Sequence, residues 1–116
     1  MRLLRQIKTD IDIIKNDMKI DKLGVRDECD KYIIYVDALL VAVVAIIKEL
    51  KEKFEYWGSL NISMWKSDCT FLKRYACRFF CEMFMEKISI DIHNAEVCQN
   101  ELNSIRMRLN QIKYLL

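Results

Sequence analysis

Cysteine and histidine have the widest chemical range of any residues in this sequence, and four of them fall within a short stretch: Cys77, Cys81, His93 and Cys98. A Cys/His set can hold zinc, and a thiol beside cations can act as a nucleophile. Cys77 and Cys81 are four apart and would share one face of a helix. Lys73, Arg74 and Arg78 lie nearby, and their charge favours thiolate. The spacing nevertheless argues against both chemistries. Compact zinc sites pair two short knuckles, and here there is one. His93 and Cys98 are five apart, a poor fit to one helix face. His93 is the only histidine, and the sequence puts no nucleophile beside it. The carboxylates are spread among lysines and read as solvated faces rather than as an acid–base pair. The sequence therefore predicts no enzyme, no cofactor and no metal. The five cysteines are odd in number, and Met1–Lys8 is charged throughout with no secretory pattern. They read as free thiols in a reducing, cytoplasmic compartment.

A second constellation is basic and aromatic. Lys73, Arg74 and Arg78 interleave with Phe71, Tyr75 and Phe79, and Arg106, Arg108 and Lys113 follow further on. Basic residues among aromatics can hold nucleic acid through phosphate charge and base stacking. Against this stands a net charge of only +2, when nucleic-acid domains are commonly far more basic.

The elements that must position these residues are helices. The 116-residue chain has no Pro and two Gly, Gly24 and Gly58, too few breakers for the tight turns of a sandwich or barrel. Its length predicts a single domain over 1–116. Leu4, Ile7, Ile11, Ile14 and Met18 repeat at intervals of three and four, the seam of a first helix ended by Gly24. A second helix begins near 25–28, with Asp27, Glu28 and Asp30 in its first turn, where acids complement the helix dipole. Its seam runs through Val25, Cys29, Tyr32, Val36, Leu39, Val43, Ile46, Leu50, Phe54 and Trp57. Within it Ala38–Ile47 is apolar on every side, as expected of a helix at the centre of a bundle. That run is too short for a bilayer, which takes about 20 residues, and Asp37 interrupts its extension. Gly58 predicts a second turn. A third helix follows from about 62 to 87, with a main seam of Ile62, Trp65, Cys69, Leu72, Ala76, Phe79 and Met83. A second stripe of Met64, Phe71, Tyr75 and Met85 lies about 90–120° around it. The phase then slips between Met83 and Ile92, which predicts a turn near residue 90 capped by Ser89 or Asp91. A fourth helix carries Ile92, Ala95, Leu102, Ile105, Leu109, Ile112 and Leu116.

The expected fold is all-α: an antiparallel four-helix bundle of long hairpins around a fully apolar central helix. The expected core is Ile11, Ile14, Val36, Leu39, Leu40, Val43, Ile46, Ile47, Leu72, Phe79, Leu102, Ile105 and Leu109. Met, Phe and Tyr are enriched at protein interfaces. The expected function is therefore a non-enzymatic interaction module, a small inhibitor or adaptor that binds a protein partner or itself through Met64, Phe71, Tyr75 and Met85. The alternative is nucleic-acid binding through Lys73, Arg74, Arg78, Arg106 and Arg108. No membrane association is expected.

Overall fold

A computed structural model describes residues 4–19, 26–66 and 70–115. They form three helices: α1 (Leu4–Lys19), α2 (Arg26–Lys66) and α3 (Phe71–Leu115). The protein is all-α. Three helices replace the four expected: neither predicted interior turn, at Gly58 or near residue 90, exists, and α2 instead ends at Lys66 with α3 beginning at Phe71. Gly58 sits inside α2, where a Cβ at its position would lie 3.5 Å from Met85 Cε. A glycine in a helix costs only about 1 kcal/mol, well within what packing offsets. The predicted stop at Gly24 lies outside the described residues, as does Cys69. Thr70 caps the start of α3: Lys73 N–H donates to its Oγ1 at 3.4 Å and Arg74 N–H to its carbonyl at 3.1 Å.

No turn occurs near residue 90 either, and the buried stripe of α3 explains why. Cys81, Ile88, Ala95, Leu102 and Leu109 are all buried and follow one another at seven residues without a break. The apparent phase slip arises only when the seam is drawn through Leu72, Phe79 and Met83, which face outward.

The chain divides into two compact units, one of Met1–Ile46 with Ala95–Leu116, the other Ile47–Asn94. In the first, three helical segments share a core of Ile7, Ile11 and Ile14 from α1, Cys29, Val36, Leu39, Val43 and Ile46 from α2, and Ala95, Cys98, Leu102, Ile105 and Leu109 from α3. Each set repeats at intervals of three and four, so each helix presents one apolar stripe to the other two. Ion pairs mark the register. Asp30 meets Lys113 at 2.5 Å and Asp37 meets Arg106 at 2.6 Å. Seven residues forward on α2 are seven back on α3, so the two run antiparallel. Tyr32 donates a 2.5 Å hydrogen bond to Asp17 Oδ2, joining α2 to α1, and Lys15 meets Glu101 at 3.5 Å, joining α1 to α3.

The apolar segment Ala38–Ile47 is not enclosed as expected. Its inner residues are buried, but Val41 is 71% exposed, and Ile34, Ala38 and Ala45 share that outer face. Two helical neighbours cover two sides of a helix and leave the third open.

The second unit is a two-helix hairpin of α2 from 47 and α3 up to 94. Gly58 faces Met85, and the Arg78 guanidinium lies 5.1 Å from the Trp65 ring centre, again seven forward against seven back. Trp57 and Phe84 stack at 4.8 Å between the helices. Only Ile47, Cys81 and Ile88 are buried here among the described apolar side chains.

Candidate functional site

The hairpin holds all five Phe and both Trp of the chain, yet it has the smaller core. Two helices can bury one stripe each. On α3 that inner stripe is Cys81 and Ile88 with half-buried Cys77, Met85 and Ile92. At 100° per residue, Leu72, Ala76, Phe79, Met83 and Ile90 lie on the opposite side of the helix. Leu72 is 79% exposed, Phe79 57%, Met83 45% and Ile90 55%. Leu72 and Phe79 were expected in the core. They fall on the outer face because the inner one belongs to the seven-residue series of Cys81.

The edges of this outer face differ. One carries Tyr75 and Glu82, with Phe71 stacked on Tyr75 at 6.4 Å and Arg78 Nε bound to Glu82 Oε1 at 2.8 Å. The other carries Lys73, Phe80 and Lys87, with Phe79 and Phe80 edge-to-face at 5.8 Å.

The stripe expected to bind a partner is thus divided. Phe71 and Tyr75 are exposed, whereas Met64 and Met85 are half-buried on the hairpin side, Met85 against Gly58. The basic residues are divided too. Arg78 is held between Trp65 and Glu82, Arg74 is half-buried, and Lys73 is exposed on the far edge. Arg106 pairs with Asp37, and Arg108 lines a groove in the other unit. That groove, about 520 Å³ between α1 and α3, also takes in Lys15, Met18, Val97 and Ser104. It was not foreseen, since the register of α1 on α3 is not written in either helix alone.

Among the described cysteines, Cys29, Cys81 and Cys98 are buried and Cys77 is half-buried. Cys77 and Cys81 Sγ are 3.8 Å apart. Burial, then the neighbouring Cys77 and Glu82, pushes the Cys81 thiol up, the reverse of the thiolate favoured by cations that the sequence suggested. Burial likewise raises Cys29 and Cys98. His93 is exposed. Among the described residues, no group of three or more Cys, His, Asp or Glu could hold a metal ion, and no helix is long and apolar enough to cross a membrane.

Fold and surface together define an all-α chain with one three-helix unit and one hairpin whose outer face is apolar. Comparison with protein-family models, with curated proteins and with solved structures finds no match in any of the three.

Proposed function

We propose that this chain is a non-enzymatic protein-interaction module that binds through the outer face of α3 between Leu72 and Ile90. One observation carries the reading: five aromatic or long apolar side chains of one helix face and its edges, Leu72, Tyr75, Phe79, Phe80 and Met83, are 45–79% exposed. Patches of this size on a monomer mark binding sites. Aromatic and Met side chains are the types that interfaces use. In this reading a partner's helices complete a four-helix bundle around the hairpin, and the chain acts as an inhibitor or adaptor in a reducing cytoplasmic compartment.

The test is a photo-crosslinking aromatic amino acid at position 79, in the cell from which the gene derives. A discrete polypeptide adduct is expected at 79 and none from the same group at solvent-facing Lys51. Crosslinks to nucleic acid, or the same diffuse labelling at both positions, would overturn the proposal.

A further inference from the structure

We propose that the occupant of this face is a second copy of the chain, docked with its α3 parallel to the first across a two-fold axis. The inference rests on the outer face of α3 being a binding surface at all.

The spacing supports a helical seam. Ala76, Met83 and Ile90 recur at seven residues, and so do Leu72, Phe79 and Glu86, offset by four from the first series. This is the alternation by which two helices interdigitate. The edges then select both the partner and its direction. In a parallel pair, the residue just before one seam series meets the partner residue five positions later in sequence. Tyr75 then faces the partner's Phe80, and Glu82 faces the partner's Lys87. By symmetry the same pairs form a second time. Both contacts are favourable, one aromatic and one between opposite charges. An antiparallel pair would bring like edge to like edge, Glu82 toward the acid-bearing edge and Lys87 toward Lys73. The surface is therefore self-complementary in one orientation.

Its size is also right. Taking about 200 Å² for each large side chain, complete burial of the exposed fractions of Leu72, Tyr75, Phe79, Phe80, Met83 and Ile90 would cover at most on the order of 700 Å². One side of a standard interface is about 800 Å². Glu86 is the residue that opposes the pair, since two copies of it meet near the axis.

Sedimentation velocity and native mass spectrometry on the full chain test the proposal. The wild type should dimerise. Glu82→Lys or Lys87→Glu alone creates two like-charge contacts and should weaken the dimer by roughly tenfold. An equimolar mixture of the two single variants should recover it as heterodimers, and the double variant should recover it as homodimers. Glu86→Leu should tighten the dimer. Glu82 and Lys87 are exposed, so melting curves taken on protein dilute enough to be monomeric should shift by no more than the loss of the exposed Arg78–Glu82 pair and will show that the fold persists. A wild type that stays monomeric, single variants that dimerise as well as wild type, or a mixture with no preference for heterodimers would each overturn the proposal. A monomeric wild type that still gives a discrete foreign polypeptide adduct at position 79 would refute the second copy and leave the binding surface standing.

Discussion

Leu102 has two neighbouring helices to pack on, and Phe79 has none on its side of α3. Both belong to the same helix, and both sit on regular apolar stripes. In the three-helix unit α1 covers the α2–α3 pair, and Ile7, Ile11 and Ile14 close a core. In the hairpin the same kind of antiparallel pair lacks a third helix among the described residues, and Phe71, Tyr75, Phe79 and Phe80 stay more than half exposed. The hairpin also leaves Asn61 Oδ1 buried without a hydrogen-bond partner, a cost that a finished core would normally avoid. Burial and exposure thus fall on different parts of one helix: Ala95, Cys98, Leu102, Ile105 and Leu109 are covered by their own chain, and Leu72, Phe79 and Ile90 are left more than half exposed.

The largest expected effect would break this contrast outright. Leu102→Ala should cost about 2–5 kcal/mol in urea unfolding, because a fully buried leucine leaves a cavity among three helices. Leu72→Ala, measured in dilute protein, should change stability by less than about 0.5 kcal/mol. Equal losses would mean that the hairpin face is core after all.

Tyr32→Phe comes next, at about 1–2 kcal/mol, since it removes a hydrogen bond to a carboxylate across the α1–α2 contact. Its signature is in the pH dependence. The bond to Asp17, then burial, pushes the Tyr32 hydroxyl up to about 12 from 10. The folded state holds the proton more tightly, so the stabilisation is fully present below pH 10 and is lost as pH rises from about 10 to about 12. The variant should lack that loss in melts across the window.

Smallest is a gain. Gly58→Ala should stabilise the chain by about 0.5–1 kcal/mol, through helix propensity and an ordinary contact with Met85. A loss there would restore the turn that the sequence suggested and undo the hairpin.

Much of the three-helix unit was legible beforehand. The seams of α1 and of the first half of α2, and the positions Ala95, Leu102, Ile105 and Leu109, are read directly from intervals of three and four, because those intervals hold without a break in each segment. The hairpin was not legible in the same way. Its face of α3 is inverted relative to the expectation, with Leu72 and Phe79 outside and Met85 half-buried inside, because both stripes of this segment keep helical spacing and spacing alone does not say which one is covered. The signal that would have corrected this is the seven-residue series running back from Leu109 through Leu102, Ala95 and Ile88 to Cys81, where a small residue marks the covered side.

Taken alone, the sequence determined that the protein is helical, where α1 lies, and which residues line the three-helix core. Those properties follow from local periodicity and from the absence of proline, which act within each segment. Only the tertiary structure decided that Gly58 and Ser89–Asp91 stay helical and that Cys81 rather than Phe79 faces α2. A helix with two apolar stripes has the same local propensity whichever stripe is covered, and the choice is made by the register of the helix packed against it.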